Sequence, residues 1–247
     1  MDFKKLANRY KTELLDSVLP FWLKNSIDKE FGGYFSCLDR DGSVYDTDKF
    51  IWLQGREVWL FSMLCNKLGK KQEWLDAAIQ GAEFLKKYGH NGDYDFYFSL
   101  TREGKPLVEP YNIFSNTFAC MAFAQLAKAT GSEEYAEISR RIFKRILERR
   151  GNPKGKWSKA VPGTRPMKDF ALPMIICNMA LEVEDIINDL SCWRRQSTSA
   201  STRFWTCSTS LIWGVCWRMS HRSTTQGSTV SRAGKSIPVT TLRPYGS

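Results

Sequence analysis

Two residues four apart carry the clearest chemical signal in this chain. In Lys49-Phe50-Ile51-Trp52-Leu53-Gln54-Gly55-Arg56-Glu57-Val58-Trp59, Trp52 and Arg56 fall one helical turn apart and share a face. An aromatic ring beside an Arg on an inward helix face suits a sugar site. The ring packs on the apolar face of a sugar, and the guanidinium forks onto its oxygens. The pattern alone does not demand this, because an Arg in an amphipathic helix is more often a surface residue. Histidine, the natural acid–base group near neutral pH, is scarce: the chain has only His90 and His221. His90, in "KKYGHNGD", reads as a turn residue after an outer-type helix. Asp39-Arg40-Asp41-Gly42 is not a calcium loop, since the third ligand and the distal Glu are misplaced.

Six amphipathic segments must position these residues: 2–25, 49–68, 72–88, 112–130, 133–149 and 167–184. In the first, Leu6, Tyr10, Leu14, Val18 and Phe21 recur at helical spacing. Segment 133–149 has charges along one face, as a solvent-facing helix should. Segments 112–130 and 167–184 are apolar over most of their surface, which predicts burial on two sides. Apolar inner members alternating with half-polar outer ones predict concentric helical layers. Two hairpins are expected between the helices. Residues 33–38 turn at Asp39-Arg40-Asp41-Gly42 and return through Ser43-Val44-Tyr45. Tyr94 to Leu100 turn at Thr101-Arg102-Glu103-Gly104 and return through Pro106-Leu107-Val108. Glycine at each tip tolerates the positive φ that such turns need. The shared pattern is a weak internal repeat of a helix pair decorated by a hairpin.

Composition breaks sharply near Ser191. Residues 191–247 hold twenty-one Ser or Thr, seven Arg and one Lys, with no Asp or Glu. The first 190 residues carry 28 basic and 26 acidic side chains, so the formal +10 of the chain resides mostly in the tail. The body therefore has no basic footprint for nucleic acid. It has neither a leader-like N-terminus nor an apolar run long enough to cross a membrane. Seven cysteines without a CxxC pair predict free thiols in a reducing cytosol. Cys65, Cys120 and Cys177 lie in apolar helical patterns and read as small core residues.

The blocks "FGGYFSCLDRDGSVYDTDKFIWLQGREVWLFSMLCN", "FYFSLTREGKPLVEPYNIFSNTFACMAFAQLAKATG" and "WSKAVPGTRPMKDFALPMIICNMA" resemble the N-acylglucosamine 2-epimerase family over about residues 5–184. The resemblance implies an all-α fold, the (α/α)6 barrel, with a sugar site at one mouth. It implies epimerisation at carbon 2 of an open-chain amino sugar, without metal or redox cofactor. A proton leaves beside a carbonyl and returns on the other face, and a cation stabilises the enediolate oxygen. Arg56 matches the family's cation, and Trp52 matches an aromatic lining the same pocket. The family's acid–base pair is two His in the second half of the barrel, and neither His90 nor His221 matches it. Nucleotide-stimulated members suggest ATP as an activator, contacted by Lys159, Gly163, Thr164 and Arg165 of "KAVPGTR". That loop lacks the GxxxxGK[ST] of a P-loop, and a plain connection is its simpler reading. The resemblance also implies a cytosolic protein, homodimeric when intact, with no nucleic-acid or membrane partner.

Twelve barrel helices with their connections need about 360 residues. The expected organisation is thus residues 1–190 as the first half of a barrel and 191–247 as an anomalous, disordered tail. A one-base frame shift, with permitted codon choices, turns Arg232 to Ser247 into "GRKINPGHHIEALWF" and restores acids upstream, so the tail is read as an out-of-frame continuation. This literal chain is then expected to be inactive. Apolar inner faces of 112–130 and 167–184 would be exposed, with poor solubility. The alternatives are a cellobiose 2-epimerase or aldose–ketose isomerase on the same barrel, a non-catalytic half barrel that binds protein, and a nucleic-acid binder acting through the tail. The "WLQGR" and "PGTRP" blocks favour N-acylglucosamine.

Overall fold

The computed structural model describes residues 2–110, 112–149, 167–169, 171–187 and 219–221. The expectations for Lys159, Gly163, Thr164 and Arg165, and for the tail apart from Met219–His221, lie outside these residues. The order is α1 (Phe3–Glu13), a π-helical turn (Leu14–Val18), α2 (Leu19–Asn25), β1 (Cys37–Leu38), β2 (Val44–Asp46), β3 (Lys49–Phe50), α3 (Ile51–Leu68), α4 (Gln72–Tyr88), β4 (Ser99–Leu100), β5 (Pro106–Val108), α5 (Phe114–Thr130), α6 (Glu133–Arg149), β6 (Met167–Asp169), α7 (Ala171–Val183) and β7 (Met219–His221).

Each expected helix is present, with two local differences. Segment 2–25 is interrupted by the π turn before Pro20. Proline has no N–H to return to the carbonyl of Asp16, and the widened turn absorbs the lost bond. Segment 167–184 is helical only from Ala171. Residues 167–169 instead form a strand paired antiparallel with Met219–His221, Met167 opposite His221.

The helices form two rows. α3, α5 and α7 pack side by side, α4 lies against α3, and α6 lies against α5. The outer helices bury one stripe each. On α4 it is Trp74, Leu75, Ala78, Ala82 and Leu85, and on α6 it is Tyr135, Ile138, Ile142 and Ile146. α5 is buried along its whole middle, Ala119 to Ala127, so the expectation of an exposed inner face there is not met. α3, α6 and α7 cover it. α7 buries Ile175, Met179 and Val183 but leaves Met174 and Leu181 exposed, so it is covered on one side rather than two. α1 has no buried residue.

Both hairpins form, with shorter strands than expected. β1 pairs with β2, and β4 with β5. At the tips, the Gly42 N–H donates to Asp39 O (2.9 Å) and the Gly104 N–H to Thr101 O (3.0 Å), with φ +88° and +92°. The second hairpin gains a third strand, β3, whose Phe50 faces Ser99. A two-residue strand leading directly into a helix leaves no alternation to read.

A buried ion pair ties these parts together. The Lys49 ammonium donates to Asp28 Oδ2 (2.9 Å), Gly32 O (2.6 Å) and Arg102 O (2.8 Å), using all three hydrogens. Lys49 and Asp28 are almost wholly excluded from solvent. Arg102 adds two bonds to Asp28, at 3.0 and 3.2 Å. Burial alone would raise the Asp28 carboxyl, but the Arg102 and Lys49 donors outweigh it and hold the group at about 2. The turn of the second hairpin is thereby fastened to the 26–33 loop and to the start of α3.

Candidate active site

Four consecutive residues of α3 serve four directions, because successive helix positions are about 100° apart. Gln54 points into the loop before β1. Its Oε1 accepts from Tyr34 N–H (2.8 Å) and its Nε2 donates to Tyr34 O (2.8 Å). Gly55 meets α5: a Cβ there would lie 2.9 Å from the carbonyl carbon of Phe118 and 3.0 Å from the N of Ala119. Hydrogen at that position lets the two helix backbones approach. Arg56 points into the open and is exposed. Glu57 points toward the end of α2, where Ser26 Oγ lies 2.5 Å from its Oε1.

The approach at Gly55 brings Phe118 up to Arg56. The guanidinium carbon lies 4.9 Å from the Trp52 ring centroid and 4.2 Å from that of Phe118. The two rings are 6.5 Å apart at 48°. Trp52 and Arg56 therefore meet on one face as their spacing predicts. The two rings flank the guanidinium from adjacent sides, and its remaining N–H donors are free to meet a ligand. Among the described residues no carboxylate forms a salt bridge with it. Phe118 escapes sequence reading because it sits in a segment that is apolar nearly throughout.

The Ser26 hydroxyl donates to Glu57 Oε1 at 2.5 Å and also lies 2.7 Å from Trp22 O. Burial pushes the Glu57 carboxyl up to about 8, against the opposing effect of the Ser26 donor. A further polar cluster spans the row: Glu182 Oε2 accepts from Trp59 Nε1 (3.0 Å) and Gln125 Nε2 (2.6 Å), joining α7 to α3 and α5.

His90 is a structural residue. Its Nδ1 accepts from Gly92 N–H (3.0 Å), its ring donates to the backbone of Lys86, and Tyr94 stacks on it at 4.7 Å. Burial lowers its pKa, opposed by that backbone bond. It borders a hollow of about 380 Å³ with Lys86, Phe123, Glu134 and Arg141. The charges there are already paired, Lys86 with Glu134 and Arg141 with Glu137. Of His221 only the backbone is described. Cys65 and Cys120 are buried free thiols, as expected of core residues. The side chain of Cys177 lies outside the described residues.

Two rows of antiparallel helices joined by hairpins, with an aromatic-flanked Arg on an inner helix, define an incomplete (α/α) barrel. The solved cellobiose 2-epimerase of Bacillus thermoamylovorans superposes with a TM-score of 0.66 at 21% identity, over 78% of this chain and 53% of that one. The family model described as N-acylglucosamine 2-epimerase (GlcNAc 2-epimerase) matches residues 33–207, and the chain belongs to that family. It is 36% identical over 182 residues to the N-acylglucosamine 2-epimerase of Bos taurus, covering 72% of this chain and 43% of the bovine protein. A cellobiose 2-epimerase of Ruminococcus albus is more distant, 31% identical over 146 residues. The chain thus spans less than half the length of the curated relatives it matches.

Proposed function

We propose that this chain carries the cation side of a sugar 2-epimerase site acting on N-acylglucosamine and N-acylmannosamine. The observation that carries the reading is the exposed Arg56 guanidinium packed against both Trp52 and Phe118. In the reaction, the carbon-2 proton of the open-chain sugar is removed and the electron pair moves onto the carbonyl oxygen. Arg56 would hold that oxygen as it becomes an enediolate, and reprotonation on the opposite face gives the epimer. Trp52 would lie against the sugar carbons. The acid–base pair is not found among the described residues, because His90 has both nitrogens engaged and Glu57 is bonded to Ser26. The identities favour the N-acyl sugar over cellobiose.

No metal or redox cofactor is required by this chemistry. A nucleotide such as ATP would act as an activator through Lys159, Gly163, Thr164 and Arg165. A cytosolic setting suits the free Cys37, Cys65 and Cys120.

Titration of the chain with N-acetylglucosamine, followed by tryptophan fluorescence, tests the reading. Saturable quenching is expected, weakened about ten- to a hundredfold by Arg56→Ala, since hydrogen bonds from a charged donor contribute about 1.5–3 kcal/mol. Equal binding by the variant would remove Arg56 from the site. In heavy water, this chain is expected to incorporate no deuterium at carbon 2. Incorporation would show that an acid–base pair is present after all.

A further inference from the structure

We propose that Asn91-Gly92 is a site of self-catalysed deamidation, with His90 as its base and the Asp93 N–H as its oxyanion donor. The sequence holds one Asn-Gly step, and this is it. Deamidation begins when the next backbone nitrogen attacks the asparagine amide carbon. That nitrogen must lose its proton, and the amide oxygen must take up negative charge. The loop after α4 supplies a group for each task. The Gly92 N–H donates to His90 Nδ1 (3.0 Å), so the ring lone pair already points at the proton to be removed. The ring donates from its other side to the backbone of Lys86, and burial favours its neutral form. The Asp93 N–H donates to Asn91 Oδ1 (3.1 Å), where the tetrahedral centre carries its charge. Asn91 and Gly92 are exposed, Gly92 lies at φ +97°, and a Cβ there would meet no atom within 4 Å. Asn25-Ser26 is the contrast. The Ser26 N–H donates to Trp22 O (2.8 Å), a carbonyl that cannot take the proton, and Asn25 Nδ2 is tied to Phe21 O (2.9 Å).

The steps balance without any group beyond water. The Gly92 nitrogen bonds to Asn91 Cγ as its proton passes to His90 Nδ1. The carbonyl electron pair moves onto Oδ1, held by the Asp93 N–H. When that pair returns, the bond from Cγ to the side-chain nitrogen breaks. The imidazolium gives its proton to the leaving nitrogen, which departs as ammonia, and His90 ends as it began. A cyclic imide now joins residues 91 and 92. Water opens it at one carbonyl or the other, leaving aspartate or isoaspartate. Either product sets a carboxylate beside Asp93, in the loop whose Asp95 holds Arg145 and Arg149. The inference does not rest on the sugar reading, because neither Arg56 nor Trp52 takes part.

Ageing of the full chain at neutral pH tests it, once in the folded state and once in urea that unfolds it. The tryptic peptide Tyr88–Arg102, read by mass spectrometry, reports the conversion of Asn91. Folding ordinarily protects asparagine, but here the folded chain is expected to convert severalfold faster than the unfolded one. His90→Phe keeps a ring beside Tyr94 and Phe96 and removes the base. It is expected to slow conversion at least about tenfold, since a positioned general base contributes about 10²–10⁴-fold and water replaces part of that. Its circular dichroism is expected to match that of the native chain. Slower conversion in the folded native chain than in urea would overturn the inference. So would a folded His90→Phe chain that converts as fast as the native one. Should that variant fail to fold, the comparison of the native chain with itself still decides.

Discussion

Glu57 holds a proton that an ordinary carboxyl gives up. Burial pushes its pKa up to about 8, against 4.5 for an ordinary glutamate. Between these values the folded chain binds the proton more tightly than the unfolded chain does. The stabilisation is complete below about 4.5 and is lost as pH rises through 8. Urea midpoints measured from pH 5 to pH 9 are therefore expected to fall for the native chain. Glu57→Gln can still accept from Ser26 but cannot titrate, so its profile should lose that slope. A variant with the same slope as the native chain would place the proton elsewhere. This residue was not legible in the sequence, where a Glu after an Arg reads as a surface partner. Its partner, Ser26, lies thirty-one positions away. Trp52 and Arg56 were legible because helical spacing alone puts them on one face.

At the scale of elements, Gly55 sets how closely α3 and α5 approach, and hence where Phe118 lies beneath Arg56. Gly55→Ala is expected to cost about 1–3 kcal/mol as overpacking, because its nearest neighbours are backbone atoms that cannot turn aside. Sugar titration should weaken in the same variant, by displacement of the ring against Arg56. A variant of native stability and native affinity would show that the helices are not held by this contact. The ion pair that anchors the hairpins gives a second expectation. Asp28→Ala strands the buried Lys49 ammonium, and urea unfolding should show a loss of about 3–5 kcal/mol. Helix periodicity made α3, α4 and α6 readable to within a few residues. The buried pair was not, since Asp28 lies in a loop and Lys49 in a two-residue strand, where nothing local signals burial. The π turn hid for a similar reason: Pro20 was read through by an apolar spacing that continues across it.

Across the whole molecule, protection from solvent is uneven. α5 is enclosed by three helices, whereas α1 contributes nothing to the core. Hydrogen exchange is accordingly expected to be slowest in Ala119 to Ala127 and fastest in Phe3 to Glu13. Equal protection of the two helices would contradict the distribution of burial. Layered helix pairs were legible from alternating apolar and half-polar segments. The resemblance supplied their closure into a barrel, because a period within one helix carries no information about the curvature of a row.

The saturated ammonium of Lys49 has a consequence for chemistry done on this protein. All three of its hydrogens are committed, Phe84 lies 4.5 Å away, and no solvent reaches it. An amine-directed acylating reagent needs a free lone pair and room to attack, and neither exists while the hairpins stay docked. The surface lysines should react within the first minutes, leaving Lys49, among the described residues, as the amine that records only opening events. Its modification rate, read by mass spectrometry, becomes a clock for how often the arc comes apart.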